Sequence, residues 1–193
     1  MKNLLISASL VGSALLPAAA HAQAIPAAIV AVVDLEKVQT QCTACVAART
    51  ALRAQAAALQ SRETTLAAPL ETERKSIQAA VDALKGKNPD AALEARIKAF
   101  ETKQQQAGQE LQRQQQQLQR NNAYISQQIM AKLGPIYQQV MQKRGANVMV
   151  EQGATLASGT NLDVTNDVLA ALNAQLPSVQ TTAPAAAQQT QGR

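Results

Sequence analysis

The sequence Lys85-Gly86-Lys87-Asn88-Pro89-Asp90 separates two long stretches in which apolar residues recur every three or four positions. Gly, Asn and Pro favour turns, and an Asp that follows them can cap a new helix. The first periodic stretch runs from Val46 to Leu84, and the second runs from Ala91 to about Lys143. This alternation predicts amphipathic helices. Two such helices joined by a tight turn predict an antiparallel coiled-coil hairpin.

The composition favours long helices over a large globular core. Ala accounts for 40 and Gln for 27 of the 193 residues, and only 2% of the residues are aromatic. Both types form helices readily, but they bury less apolar surface than aromatic and branched side chains do. A compact enzyme with a deep pocket therefore fits this chain poorly. At 1.5 Å per residue, a first helix of about forty residues would be about 60 Å long.

The second predicted helix is unusually rich in Gln. Ten Gln residues lie between Gln104 and Gln119. They form either an adaptable polar surface or a solvated helix face made of good helix formers. Because the apolar seam of both helices is thin, we expect the hairpin to be flexible.

Two places in the predicted helices favour bending. Pro69 interrupts the first helix, and reflection about the turn places it opposite the neighbourhood of Gly108 in the second. Because Pro removes a helical hydrogen bond and Gly has a low helix propensity, we predict a shared kink there. Gly134 and Pro135 predict a bend or break near the end of the second helix.

The two ends of the chain carry short strand patterns. Residues 28–33 (AIVAVV) form a continuous, β-branched run that predicts a buried strand, and residues 146–151 predict a second one. A third short strand is predicted over residues 154–157. A final helix then follows, which Asp163 or Thr165 would cap.

This order of elements defines one interrupted domain, residues 23–176. Its body comes from residues 23–45 and 145–176, and the hairpin, residues 46–144, is inserted between them as an arm. The fold class is therefore mainly α with a small β body. Such a body is smaller than a single stable core usually is, so we predict an oligomer that forms through the strands.

Both termini are predicted to lie outside this domain. Lys2, the apolar stretch from Leu4 to Leu16 and the small-x-small sequence Ala20-His21-Ala22 indicate a secretory signal peptide over residues 1–22. At the other end, residues 177–193 consist of Ala, Gln, Thr and Pro with few other types, which predicts a disordered tail.

Cleavage after Ala22 would narrow the available chemistry. It would remove His21, the only histidine, and with it His-dependent triads and imidazole metal sites. None of the eight glycines forms a GxxxxGK[ST] or GxGxxG phosphate-binding loop. We therefore predict no catalytic residue, no cofactor and no metal site.

Cys42 and Cys45 form a C-x-x-C motif near the start of the first long helix. In an oxidising compartment three interpretations compete: a local disulfide, a redox site, or bridges between chains of an oligomer. The spacing is compatible with a disulfide in a turn or a first helical turn. A thioredoxin-like site would need a βαβ context, which the sequence lacks.

Two segments at the ends of the body resemble the OmpH/Skp family of periplasmic chaperones. They are Ile29–Val38 (IVAVVDLEKV) and Asn147–Asn173, which contains Asp163-Val164-Thr165 and Asp167-Val168-Leu169. The resemblance extends over nearly the whole mature chain except the tail. It implies a trimer whose strands form a central body, with three helical arms that project like tentacles around a cavity.

The resemblance also implies a function. Unfolded outer-membrane proteins would be held in the cavity without ATP, and lipopolysaccharide would be a further partner. A passive holdase, acting through many weak contacts, is therefore the leading hypothesis. One alternative is a structural coiled-coil spacer of the cell envelope, similar to the hairpins of efflux adaptors, and another is a thiol oxidoreductase that uses Cys42 and Cys45.

The charge distribution fits the same hypothesis. The arm carries 15 Lys and Arg against 8 Asp and Glu, so its net charge is +7. Such charge would attract acidic clients, lipopolysaccharide phosphates or an anionic membrane surface, although it also suits an ordinary solubilising helix surface. Export makes nucleic acid an improbable partner. The candidate contact residues are Arg74, Lys75, Lys85, Lys87, Arg96, Lys98 and Lys103.

Overall fold

The computed structural model describes residues 26–184 of the 193-residue chain. Its elements follow in the order β1 (Val30–Val33), α1 (Leu35–Gln41), α2 (Thr43–Ala83), α3 (Ala91–Arg144), β2 (Val148–Glu151) and α4 (Thr165–Gln175). Two short 3-10 helices, Gln152–Ala154 and Thr160–Leu162, lie between β2 and α4. The protein is thus mainly helical with a small sheet, as predicted. The signal peptide predicted over residues 1–22 lies outside the described residues.

The arm consists of α2, with 41 residues, and α3, with 54 residues. Side-chain hydrogen bonds join Gln55 to Asn121, Arg62 to Glu110, and Glu73 to Arg96. The partner numbers fall along α3 as they rise along α2, so the two helices run side by side in opposite directions. At 1.5 Å per residue, α2 is about 60 Å long. We call the end of the arm at the turn its tip and the end at the body its base.

Local sequence explains the turn at the tip and the end of α3. The Asp90 carboxylate accepts a hydrogen bond of 2.8 Å from the Leu93 backbone N–H, which caps α3 as predicted. Gly86 has φ +88° and so adopts a left-handed conformation that costs Gly little. Gly145, with φ +67°, ends α3, and the Ala146 N–H closes the last turn by donating to the Met141 carbonyl at 2.9 Å.

The sheet has two parallel strands, β1 and β2, with Val30 opposite Val148 and Val33 opposite Glu151. On its other side, β1 forms an isolated bridge from Val32 to Asp163. The predicted third strand over residues 154–157 is wrong. A turn occupies its start, because the Thr155 backbone N–H and side-chain hydroxyl both donate to the Gln152 carbonyl.

The segment Asp163-Val164-Thr165 fastens α4 to β1. The Val164 N–H donates to the Val32 carbonyl at 2.8 Å, and the Asp34 N–H donates to the Thr165 hydroxyl at 2.9 Å. The Asp163 carboxylate accepts a hydrogen bond of 2.8 Å from the Thr165 N–H. That bond and one from the Thr165 side chain lower the pKa of Asp163. The segment that carries the family resemblance therefore has a structural role in the body.

The core of the body includes the base of the arm. Leu133 and Ile136 of α3 are fully buried, as are Val168 and Leu172 of α4. They pack in one cluster with Val38 of α1 and the buried face of β1. Residues 35–41 form α1, and Asp34 caps that helix by accepting from the Lys37 N–H at 2.8 Å.

Neither helix of the arm is broken at its internal proline. Pro69 lies inside α2, and Pro135 lies inside α3. α3 therefore does not break at Gly134 and Pro135, and a bend at this pair remains a prediction. Leu133 and Ile136, on either side of this pair, are fully buried, and their packing holds α3 together where proline removes a backbone hydrogen bond. A hinge at Pro69 and Gly108 remains a prediction.

The predicted disorder of the tail does not hold for residues 177–184. These residues lie along the base of the arm, and Val179 packs against the core cluster. Side-chain amides of the arm bind their backbone, an interaction that a low-complexity composition does not reveal. Residues 185–193 lie outside the described part of the chain.

We expect Pro69→Ala to stiffen the arm, because it restores a helical N–H donor at an exposed position where no core supports α2. Amide exchange of residues 66–73 should slow at least severalfold, as measured by hydrogen–deuterium exchange. Pro135→Ala is the matched control, since Pro135 is also exposed but is flanked by buried residues, and its neighbours should change little. Equal exchange in Pro69→Ala and the wild type would contradict a hinge at Pro69.

Candidate functional site

Along most of its length, the arm has an apolar seam between its two helices but no buried core. Among residues 49–120, only Ala107 is buried. The apolar side chains of the seam meet across the two helices but stay half-buried; they include Leu52, Leu59, Leu66, Leu70, Ile77, Phe100, Leu111 and Leu118. A half-exposed stripe of this length offers many weak apolar contact points to another molecule.

Two of the clefts along this seam are similar in size. One, of about 420 Å³, has Leu66, Pro69 and Leu70 on its α2 side, and Lys103 and Glu110 on its α3 side. The other, of about 400 Å³, lies at the base between α1, α2 and α3 and is lined by residues such as Leu52, Ile125 and Met130. Both clefts combine an apolar surface with charged or polar side chains, so each can contact an unfolded segment of mixed composition.

The structure divides the seven predicted contact cations into two groups. Three of them form ion pairs: Arg74 and Lys75 with Glu71, at 2.8 and 3.5 Å, and Arg96 with Glu73, at 2.7 Å. Four form no ion pair within the described residues, and all four are exposed: Lys85, Lys87, Lys98 and Lys103. No ion pair of the described residues neutralises these four charges, but Asp82, Asp90, Glu94 and Glu101 lie in the same part of the arm and partly offset them. These four lysines lie towards the tip, and we call them the tip lysines.

The ion pairs between the helices link the two sides of the arm. The Arg96 guanidinium donates to Glu73 and lowers the pKa of its carboxyl, and the Arg62 guanidinium does the same to Glu110. On α2 itself, hydrogen bonding by Arg74 lowers the pKa of Glu71 to about 2. All three carboxylates are therefore ionised at neutral pH, and their pairs are lost only as the pH falls through these lowered pKa values.

Cys42 and Cys45 form a disulfide in the structure, with Cα atoms 5.1 Å apart. Cys42 is at once the C-cap of α1 and the N-cap of α2, and its sulfur accepts from the Cys45 N–H at 3.0 Å. The Thr43 N–H donates to the Asn173 side chain of α4 at 2.8 Å. The disulfide therefore lies in the body where the arm begins. Exposure is 0% for Cys42 and 5% for Cys45, so an attacking thiolate has little access to either sulfur.

Sequence reasoning missed a group of four side-chain amides at the base. Gln55 of α2 and Gln117, Asn121 and Gln128 of α3 form hydrogen bonds to the backbone of residues 180–183. We call these four side chains the amide cluster. Spacings of four and seven residues along α3 place three of them on one face of the helix. That spacing was visible in the sequence, but it does not identify what the amides bind.

Other kinds of site are not evident in the described part of the chain. Within residues 26–184, no three His, Cys, Asp or Glu side chains are grouped so that they could hold a metal ion. None of the helices of these residues has the length and apolarity that a membrane span requires.

These features define a protein with a long two-helix arm inserted between two parallel strands of a small body. Residues 29–172 match the model of the family described as outer membrane protein (OmpH-like), and the chain belongs to this OmpH-like family. This confirms the resemblance found in the sequence. No curated protein sequence matches the chain closely enough to count as a relative.

A solved structure has the same fold. It is the crystal structure of an OmpH-like protein of Caulobacter crescentus that was proposed to be an outer membrane chaperone. The two chains are 19% identical and superpose with a TM-score of 0.67 over 81% of this chain and 90% of the other. At this identity the comparison establishes the fold and no more.

We expect the disulfide to resist reduction in the native protein, because both cysteines are buried. Dithiothreitol should release free thiols at a rate that rises with added urea, as followed with a thiol-reactive dye, and the protein should not reduce insulin. Cys42→Ala with Cys45→Ala should lower the free energy of unfolding by about 2 kcal/mol, the loop-closure contribution of so short a loop. Fast reduction in the absence of urea, or turnover of insulin, would support a redox site instead.

Proposed function

We propose that this protein is a periplasmic holdase chaperone that binds unfolded outer-membrane proteins between helical arms, without ATP, and prevents their aggregation. The observation that carries the proposal is the half-exposed apolar seam of an arm about 60 Å long, which has no core of its own beyond the base. Membership of the OmpH-like family, and the function proposed for the Caulobacter protein, support it.

The seam suits a client without a fixed shape. An unfolded β-barrel protein presents short apolar segments of varied sequence, and no single deep pocket would fit them all. Half-buried Leu and Ile side chains spread along the arm offer many weak contacts, whose sum gives avidity while each contact remains reversible. Release then needs no nucleotide, because a client that folds or inserts elsewhere withdraws its apolar segments.

Enclosing a client would require several arms, and we propose a homotrimer. Within the described residues, β2 pairs only with β1, so its other edge has unpaired backbone groups. Exposed apolar residues lie in or close in sequence to the two strands, namely Ile29, Val148 and Leu156. Pairing of these edges, or burial of these residues, between chains would complete the body and set three arms around one cavity.

The tip lysines would steer clients to the arm. They attract acidic segments, lipopolysaccharide phosphates or an anionic membrane surface at long range, and so raise the association rate more than the final affinity. The alternative of a thiol oxidoreductase is disfavoured by the burial of both cysteines. A rigid envelope spacer is disfavoured by an arm that has no core along most of its length.

Suppression of aggregation is the direct test of the holdase. A transmembrane β-barrel protein in urea should aggregate on dilution, as measured by light scattering, and about one trimer of this protein per client should suppress most of the signal. Leu66→Gln with Leu70→Gln should weaken suppression severalfold, because both leucines line the arm cleft. Exposed Thr64→Gln with Thr65→Gln is the matched control on the same turns of α2. Unchanged aggregation with excess wild-type protein would refute the proposal.

Steering is tested by neutralising charge at two places on the arm. Lys85→Gln, Lys87→Gln and Lys98→Gln together should lower the association rate for client severalfold at low salt and flatten its salt dependence, with little change in dissociation. The matched control, Arg53→Gln, Arg113→Gln and Lys132→Gln, removes the same charge from exposed positions nearer the base. Equal effects of the two variants in stopped-flow fluorescence would favour a merely solubilising surface.

A further inference from the structure

The segment after α4, residues 177–184, crosses the base of the arm and is held there by its backbone. The Gln128 side chain donates to the Gln180 carbonyl at 2.9 Å and accepts from the Gln180 N–H at 2.9 Å. One side-chain amide therefore satisfies both backbone groups of one residue. This is the pattern by which one strand residue pairs with another, here supplied by a helix.

The rest of the amide cluster repeats this arrangement three residues later. The Ala183 N–H donates to the Asn121 side chain at 2.8 Å, and the Gln117 side chain donates to the Ala183 carbonyl at 3.1 Å. From the other helix, Gln55 donates to the Thr181 carbonyl at 3.1 Å. Five hydrogen bonds thus reach the backbone of residues 180–183, and all of them come from Gln or Asn side chains.

Hydrogen bonds within the amide cluster also orient its side chains. Asn121 is only 4% exposed, and its side chain donates to Gln55 at 2.8 Å and accepts from Gln117 at 2.7 Å. These bonds join the two helices of the arm and fix which atoms of Asn121 face outward. A site whose donors and acceptors are held in place loses little conformational entropy when a ligand binds.

The side chains of the segment contribute little that is specific. Val179, Thr181 and Ala183 face the arm and are half-buried, while the residues between them are exposed. None of residues 177–184 is charged or aromatic. Since the inward side chains are small and the hydrogen bonds go to backbone atoms, almost any polypeptide of small or medium side chains could take the same place.

We propose that the amide cluster is a binding site for the backbone of unfolded polypeptide, and that residues 177–184 occupy it as an internal competitor until a client displaces them. The inference rests on the proposed holdase function and adds a second kind of contact to it. The seam binds apolar side chains, whereas the amide cluster binds main chain and so accepts clients irrespective of sequence.

Because residues 177–184 occupy the amide cluster, another polypeptide must bind more strongly than they do in order to displace them. Residue Leu176, just before the segment, is buried in the body core, so the segment is tethered next to its site at an effective concentration on the order of millimolar. A short free peptide competes poorly against such a tether. A long unfolded client, which also contacts the seam, gains avidity and displaces the segment.

The first test removes the competitor. A chain that ends at Leu176 keeps all the helices and the core, and we expect it to bind an unfolded β-barrel client roughly five- to tenfold more tightly than the full chain. Adding Gln117→Ala and Gln128→Ala to the shortened chain should reverse the gain, whereas Gln115→Ala and Gln116→Ala, at exposed positions of α3, should not. Circular dichroism checks that every variant is folded.

A second test asks whether the site recognises backbone. The octapeptide of residues 177–184 and a scrambled version should shift the side-chain NH₂ signals of Gln117, Asn121 and Gln128 in the shortened chain equally at millimolar peptide, as seen by NMR. N-methylation of the peptide at the positions of Gln180 and Ala183 should abolish the shifts, because it removes both donors. Shifts with the native sequence alone, no shifts at all, or no effect of methylation would overturn the proposal.

A third measurement separates this proposal from the holdase. In the full chain, client binding should speed hydrogen exchange of the Gln180 and Ala183 amides, which the cluster protects in the free protein. If the client binds and stays soluble while these amides remain protected and the shortened chain shows no gain in affinity, the holdase stands and the competitor is refuted. If the client fails to bind at all, the proposed function itself fails.

Discussion

Parallel pairing of β1 with β2 is the constraint on which the rest of the structure depends. Two parallel strands cannot be joined by a tight hairpin, because the chain must return to the starting end of the sheet. In most proteins a single crossover helix covers that distance. Here the crossover is the whole arm, α2 and α3, which leaves the body and comes back to it. The described segments before and after the arm therefore meet in one small body, and the arm extends from it.

The body and the arm divide the burial of apolar surface unequally. Leu133, Ile136 and Val140 of α3 are buried against α1 and α4, whereas residues 49–120 contain a single buried residue, Ala107. Stability therefore decreases from the base to the tip. Both internal prolines leave their helices unbroken, but packing on both sides supports Pro135 and no core supports Pro69. The arm is therefore flexible and its base rigid, because the large buried side chains lie at the base.

Periodicity and turn residues predicted the parts of the fold that depend on local sequence. The seam, the turn at the tip and the Asp90 cap are local, and so are the two strands with their β-branched runs. The errors had two different causes. The strand over residues 154–157 failed because Gln152 accepts bonds that close a turn, and the break at Pro135 failed because partners distant in sequence bury its neighbours. A local turn decided the first case. Contacts between distant residues decided the second, and no pattern within a window could show them.

The structure shows what some of the many Gln side chains of α3 bind, which the sequence alone left open. The sequence left open whether the Gln run of α3 is an adaptable polar surface or a solvated helix face. At the base, Gln117 and Gln128 together with Asn121 contact a peptide backbone, while the preceding Gln115 and Gln116 face solvent. Both descriptions therefore apply to one helix, on different faces. A side-chain amide carries the same donor and acceptor as a peptide group, so a helix rich in Gln can bind polypeptide main chain without presenting a sheet edge that would aggregate.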